Sequence, residues 1–311
     1  MRFESLPFSL RQLQYALAVA DTLSFRRAAE RCHVAQPSLS AQVAQLEDAL
    51  GVQLFERDKR RVLVSPAGQQ VLEQARVLLH GAEDLLNAAR RVADPLTGVL
   101  RVGVIPTISS YLLPAVTPAV RAAYPRLSIV WLEDKTAVLV RDLARGELDA
   151  AILALEADLG DVEHEVIAPD PFWLAAPPGH PLAKERSPAR TADLRQSPVL
   201  LLDDGHCLRE QALSLCTVAR AEEAEFRATS LTTLSQMVAG GAGVTLLPEL
   251  AASAEAERAG LILRPLEEPT PHRTIALVWR RGSALGGALR KLAASIRKAY
   301  PRKLARRRHL P

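Results

Sequence analysis

The sequence predicts a multidomain α+β chain, and three observations carry that reading. The first fifty residues hold short helical patterns with a proline opening the third. From Pro66 to Ala93 an apolar stripe runs without an internal proline. Beyond Val99 apolar strand-like runs alternate with helix-like ones, the pattern of sheets with helices outside. At 311 residues and 48% hydrophobic content the chain can bury two or three cores.

Leu10, Leu13, Leu17 and Ala20 fall on one stripe of a first helix over Leu10 to Val19. Ser24 caps a second, running through Arg26 to Arg31 and closed by Cys32-His33-Val34. Gln36-Pro37-Ser38-Leu39-Ser40 opens a third, because proline near the first helical position loses no hydrogen bond. It buries Val43, Leu46 and Leu50 and ends at Gly51. Two short helices joined by a tight turn make a helix-turn-helix. Ser38, Ser40, Gln42 and Gln45 line the polar face of the third helix, with short hydroxyls and amides able to reach phosphates and base edges in a major groove. Such faces also occur on ordinary soluble surfaces. A basic turn at Lys59-Arg60-Arg61, between strands carrying Phe55-Glu56-Arg57 and Val62-Leu63-Val64, adds a wing able to clamp a backbone. Cys32 reads as a small buried hydrophobe.

Val71, Leu72, Ala75, Leu78, Leu79, Ala82, Leu85, Leu86 and Ala89 give the long helix a stripe it cannot bury alone. Pairing with a second copy follows. Asp94-Pro95-Leu96-Thr97-Gly98 breaks the helix. Strands are then expected at 99–104, 128–132, 150–155, 172–176, 199–202, 225–228, 244–247 and 274–279, in parallel sheets. Helices are expected over 109–123, 137–145 and 285–300.

Ahead of these in chemical interest stands the run from Leu200 to Cys216. An apolar strand ends in Asp203-Asp204-Gly205, and a helix begins with Cys207 at its mouth, flanked by His206 and Arg209. Helix-start N–H groups and cationic neighbours favour the thiolate. Cys216 follows nine positions later. On one helix the two lie ~13 Å apart, and bridged cysteines need Cα atoms within ~7 Å. Bonding them would require the segment to unwind, as in a redox switch.

The totals exclude several classes. Three cysteines argue for a reducing compartment and against a disulfide scaffold. Apolar runs are short, so no membrane association is expected. Seven Lys and Arg lie from Ile296 onward with no acid, more than the whole net charge of +4, so bulk charge says nothing about DNA binding. The basic tail 301–311 reads as solvated. His33, His80, His164, His180 and His309 lack metal-ligand spacing, and no metal or cofactor is expected. Gly240-Gly241-Ala242-Gly243 follows a helix and precedes a strand, the reverse of a phosphate loop.

His206-Cys207-Leu208-Arg209-Glu210-Gln211-Ala212 with Cys216, Phe226-Arg227-Ala228-Thr229-Ser230-Leu231, Gly243-Val244-Thr245-Leu246-Leu247-Pro248, Phe55-Glu56-Arg57 and Ser65-Pro66-Ala67-Gly68 together resemble the peroxide-sensing LysR-type transcriptional regulators. The resemblance spans about residues 8 to 300. It departs at Glu210, where that family usually has Asp. It implies a winged helix-turn-helix DNA-binding domain over 1–68, a dimerising linker helix over 66–95 and a redox-sensing domain over 96–300. The last is built of two α/β lobes like those of periplasmic binding proteins, lobe I about 98–169 and 273–300 and lobe II about 170–272, with crossovers near Pro169 and His272.

The resemblance further implies that hydrogen peroxide oxidises Cys207, that Cys216 closes a disulfide, and that Thr107, Thr136, His206, Arg209 and Arg273 bind peroxide or support the thiolate. On sequence grounds alone each threonine also reads as a helix cap and each arginine as an ion-pair partner. Ser24, Arg26, Gln36, Pro37, Ser38, Ser40, Gln42, Gln45 and Arg57 are the expected DNA contacts. Double-stranded DNA and RNA polymerase are the expected partners, in a homodimer or homotetramer located in the cytoplasm and associated with the nucleoid. A LysR-type regulator answering to a metabolite is the alternative. A thiol peroxidase is disfavoured by the first sixty-eight residues.

Overall fold

The computed structural model describes residues 6–58, 61–91, 96–185 and 187–301, which divide into two compact units. In the first, α1 (Leu10–Thr22) starts from a capping box in which Ser9 and Gln12 satisfy each other's backbone groups. Leu10 is exposed rather than on the buried stripe, since it begins the helix outside the core that Leu13 and Leu17 enter. Helix α2 (Phe25–Arg31) is capped by Ser24. Cys32 is half-buried, not enclosed, because it caps the end of α2 at the edge of the core. Helix α3 (Gln36–Leu50) has its early proline and stops at Gly51 with φ +69°.

Strands β1 (Phe55–Asp58) and β2 (Arg61–Val64) pair antiparallel. The tip of the turn, Lys59-Arg60, lies outside the described residues, as does the side chain of Arg57. Glu47 on α3 accepts from the N–H groups of Leu54 (2.7 Å) and Phe55 (3.1 Å), fixing the wing to the third helix. Helix α4 (Pro66–Arg91) follows. Ser65 caps it at Gly68, where an added Cβ would run into the Leu54 carbonyl. Leu72 and Ala75 of α4 join the core of Leu39, Val43, Leu46 and Leu54, whereas Leu78 and Leu85 stay exposed. The helix break at 92–95 lies outside the described residues.

The second unit contains β3 (Gly98–Val104), α5 (Pro106–Ala123), β4 (Leu127–Glu133), α6 (Thr136–Ala144), β5 (Ala150–Ala154), β6 (Val162–Ala176), the short α7 (Pro181–Lys184) and a 3-10 turn over Thr191–Gln196. It continues with β7 (Val199–Leu202), α8 (Cys207–Ala219), β8 (Glu223–Ala228), α9 (Leu231–Ala239), β9 (Thr245–Pro248), α10 (Glu249–Ala259), β10 (Ile262–Pro265), β11 (His272–Arg280) and α11 (Gly286–Ala299). The Gly240–Gly243 run separates α9 from β9.

Three expectations need correction. Helix α5 begins at Pro106, not Ser109, because a proline at the first position opens it just as Pro37 opens α3. The sheets are mixed rather than parallel. Among the described strands, β3 with β4, β3 with β5 and β7 with β8 form the parallel ladders, and β6 and β11 pair antiparallel with each other and their neighbours. The strand expected at 172–176 is the last third of a 15-residue strand. Its first ten residues were hidden by polar alternation and by Pro169 and Pro171.

Strand β6 pairs with β11 through Pro171, then with β9 and β10 from Phe172 onward, and thereby passes from one hydrophobic core to another. One core gathers β3, β5 and β11 with α5 and α11. The other gathers β7, α8, α9 and α10. These are two lobes sharing β6, and the chain returns to the first core through the segment between β10 and β11.

Candidate functional site

The site is assembled at the carboxyl edge of the parallel strands, where helix starts converge. Strands β3 and β4 pair with Val104 opposite Glu133, so the turns that open α5 and α6 lie side by side. Thr107 is the second residue of α5 and Thr136 the first of α6. From the other lobe, β7 delivers Asp203-Asp204-Gly205, Gly205 at φ +85°, into His206, the N-cap of α8. Its side chain makes no capping bond, so Cys207 opens a helix whose first N–H groups no side-chain cap answers.

Cys207 is 6% exposed and packs into the core of the opposite lobe. Cys216 is buried in its own lobe's core. Both are free thiols on the one unbroken helix α8, nine residues apart and hence about 13 Å along its axis.

Lys135 of the first lobe donates from Nζ to the Asp204 carbonyl at 2.8 Å, which sets the start of α6 against the turn before Cys207. Two side-chain atoms in these segments are buried without a protein partner: Thr136 Oγ1 and His206 Nε2. Burial lowers the pKa of His206, the Lys135 ammonium lowers it further and Asp203 opposes them, so the imidazole is neutral at pH 7.

Thr107 is held differently. Its hydroxyl accepts from Arg273 Nη1 at 2.7 Å and its carbonyl from Nη2 at 3.0 Å. Arg273 also donates from Nε to Asp170 at 2.8 Å, and Asp170 accepts the Leu250 N–H. Arg273 and Asp170 are fully buried and stand opposite each other on the crossing strands. Burial and Asp170 push the nearby Tyr300 hydroxyl up.

Arg209 is buried with its bonds inside its own lobe, to Asp204 (2.9 Å), Glu223 (2.8 Å) and the Leu202 carbonyl (3.1 Å). These bonds tie the first turn of α8 to β7 and β8. Cys207 also lines a cavity of about 320 Å³ together with Glu156, Phe172, Glu210, Gln211 and His272 among others. Gln211 Oε1 is buried there without a partner. Lys135 and Gln211 escaped the sequence reading. The adjacency of Lys135 to Thr136 and the helical spacing of Gln211 from Cys207 were their only signals.

Burial first, and Glu223 second, push the Cys216 thiol up to about 11. A raised acid pKa means its stabilising effect is intact below the unfolded value of about 8.5 and fades as pH climbs towards 11. Alkylation of the reduced protein at pH 8 is therefore expected to label the half-buried Cys32 first and leave Cys216 unmodified. Prompt labelling of Cys216 would mean that α8 is already open.

In the first unit, Gln36, Pro37, Ser38 and Gln45 are exposed, with Ser40 and Gln42 half-buried beside them on α3. Gln12 donates to Gln45 at 3.5 Å. Ser24 spends its hydroxyl as the α2 cap, and Arg26 pairs with Glu30 at 3.2 Å on an exposed face.

A winged helix-turn-helix unit, together with a two-lobed α/β unit, defines a bacterial transcription regulator with a sensing half. The model of the bacterial regulatory helix-turn-helix proteins of the lysR family matches residues 10–69, and that of the LysR substrate binding domain matches 93–301. A hydrogen peroxide-inducible genes activator of Dickeya chrysanthemi is 44% identical over 290 residues, covering 93% of this chain and 95% of that protein. A full-length OxyR of Pseudomonas aeruginosa with a cysteine-to-aspartate substitution superposes with TM-score 0.76 at 36% identity, over 93% of this chain and 95% of that one. A hydrogen-peroxide-bound cysteine-to-serine mutant of Corynebacterium glutamicum OxyR gives 0.65 at 35% identity, over 94% and 92%. The chain belongs to the LysR family and, within it, groups with the hydrogen peroxide-inducible activators called OxyR.

Proposed function

We propose that this chain is a DNA-binding transcription regulator that senses hydrogen peroxide through Cys207 and controls oxidative-stress genes. The observation that carries the reading is the pair of buried, unpartnered polar atoms, Thr136 Oγ1 and His206 Nε2, on the two segments that meet at the start of a cysteine-led helix. Such atoms cost stability unless something binds them. Peroxide offers two donors and four lone pairs.

In the proposed reaction the Cys207 thiolate attacks one peroxide oxygen. The S–O bond forms as the O–O bond breaks, leaving a sulfenic acid and hydroxide, which takes a proton to become water. Sulfur is oxidised by two electrons and peroxide reduced. Thr136 donates to the leaving oxygen. Thr107, whose oxygen already accepts from Arg273, keeps its own proton free for the same purpose. The Cys216 thiol then displaces hydroxide from the sulfenic acid, giving the disulfide and a second water. Because α8 separates the sulfurs, closing that bond unwinds the helix and releases Arg209 from Glu223, altering the surface that dimers use. Arg273 and Arg209 position the two helix starts in this scheme.

Residues 1–68 are the proposed DNA-binding domain, the exposed apolar positions of α4 within 66–95 the dimer seam, and 96–300 the sensor, with the lobes divided at 169/170 and 272/273. DNA contacts are assigned to Ser24, Arg26, Gln36, Pro37, Ser38, Ser40, Gln42, Gln45 and Arg57. RNA polymerase contact, tetramer assembly, and a cytoplasmic, nucleoid-associated place complete the reading. No described helix is long and apolar enough to cross a membrane.

One equivalent of peroxide on reduced protein, followed by disulfide mapping and DNA footprinting, tests the switch. A Cys207–Cys216 link with a changed footprint is expected; no link and an unchanged footprint would refute it. Separately, Gln42→Ala is expected to weaken operator binding about tenfold, the lower range of one good base contact, with oxidation unaffected. Unaltered binding would remove α3 from the interface.

A further inference from the structure

We propose that Lys135 is a positioning residue of the switch: it pins the turn before Cys207 to the opposite lobe, favouring oxidation of the thiol and holding α8 closed against the disulfide. The inference rests on the peroxide reading and adds to it a residue outside the reacting set.

Lys135 lies between β4 and α6, one residue before Thr136. Its Nζ reaches across the lobes to the Asp204 carbonyl at 2.8 Å. The bare face of Gly205 receives the same side chain: a Cβ there would meet Lys135 Cδ at 3.1 Å and Nζ at 3.4 Å. The lysine thus covers the Asp204-Gly205 peptide two residues before Cys207. The Asp204 carboxylate does not compete for it, being turned to Arg209 (2.9 Å) and Arg227 (3.0 Å) in its own lobe. Electrostatics agree with the placement, since the ammonium acts on His206 next along the turn.

The turn is therefore held at both ends of one peptide unit. Arg209 grips it from within the lobe through the Asp204 side chain, and Lys135 grips it from the other lobe through the Asp204 carbonyl. Of these two bonds the second is the one that crosses between the lobes, and one turn along α8 a longer bond from Gln211 Nε2 to Glu156 (3.5 Å) crosses with it. In the proposed closure it is Cys207 that moves towards Cys216, which carries residues 204–207 away from Thr136 and breaks the Lys135 bond. The same contact that aligns the first step opposes the second.

Lys135→Met keeps the stem that packs on Gly205 and deletes the charged donor. A hydrogen bond from a charged group is stronger than a neutral one, and water replaces part of it, so rate effects of about three- to tenfold are expected. With full-length protein carrying Cys216→Ser, trapping of the Cys207 sulfenic acid should show oxidation slowed by about that factor in Lys135→Met. With Cys216 present and peroxide in excess, where ring closure limits, disulfide should form about three- to tenfold faster. Lys135→Arg, which keeps charge and donor, should restore both rates towards wild type. General loosening of the fold would not split the steps in opposite directions and would appear as a lower melting temperature, measured alongside.

Equal rates in Lys135→Met and wild type, or both steps slowed together, would overturn the proposal while leaving peroxide sensing intact. A wild-type protein whose Cys207 forms no sulfenic acid would overturn the peroxide reading itself, and this one with it.

Discussion

Cys207→Ser is expected to abolish the peroxide response completely while the reduced protein still binds DNA. The substitution is nearly isosteric at a position 6% exposed, so packing against the opposite lobe survives. The hydroxyl has no accessible oxidation states and is no nucleophile towards peroxide at neutral pH. Cys216→Ser should behave differently, stopping at the sulfenic acid because no second thiol is available to displace hydroxide. The order follows from the site: Cys207 opens a helix beside unpartnered donors, whereas Cys216 is buried near Glu223 with its pKa pushed up to about 11. The measurement is reporter transcription with and without peroxide, paired with sulfenic-acid trapping. Retained induction in Cys207→Ser would point to a LysR-type regulator answering to a metabolite, with the cysteines incidental.

Arg273→Met is expected to cost about 3–5 kcal/mol of stability in the two-lobed unit, the range for stripping one partner from a buried ion pair. Three bonds are lost together, to the Asp170 carboxylate and to the hydroxyl and carbonyl of Thr107. Asp170 would keep only the Leu250 N–H while remaining fully buried. Adding Asp170→Leu to Arg273→Met should recover most of the loss, because a buried pair exchanged for apolar groups is close to neutral. Urea unfolding of both variants checks this. A single-variant loss below about 1 kcal/mol would show that the pair is hydrated and not a fixed node of the crossing strands.

Local chemistry is legible in the sequence. Pro37 and Gly51 bound the third helix, Ser24 capped the second, and Cys207 after Asp-Asp-Gly marked a helix mouth, each a property of a residue and its immediate neighbours. The same logic applied to Pro106 would have found the true start of α5. Strand direction was not legible in the same way. Alternation of strand and helix favours parallel pairing, but β6, which passes between the lobes, runs antiparallel to β11, and Pro169 and Pro171 disguised its first ten residues.

The sequence by itself therefore determined the three N-terminal helices with their caps and the helix mouth at Cys207, whose helix keeps the two thiols out of bonding reach. Only the tertiary structure decided what surrounds the first thiol. Arg209, two residues after Cys207, faces Glu223 within its own lobe, whereas Lys135, Thr136 and Arg273 come from 66 or more residues away. Helix caps and breaks depend on torsions and hydrogen bonds within a few residues, which a linear pattern records. An interlobe contact depends on how two cores are joined by crossing strands, and no local pattern records that.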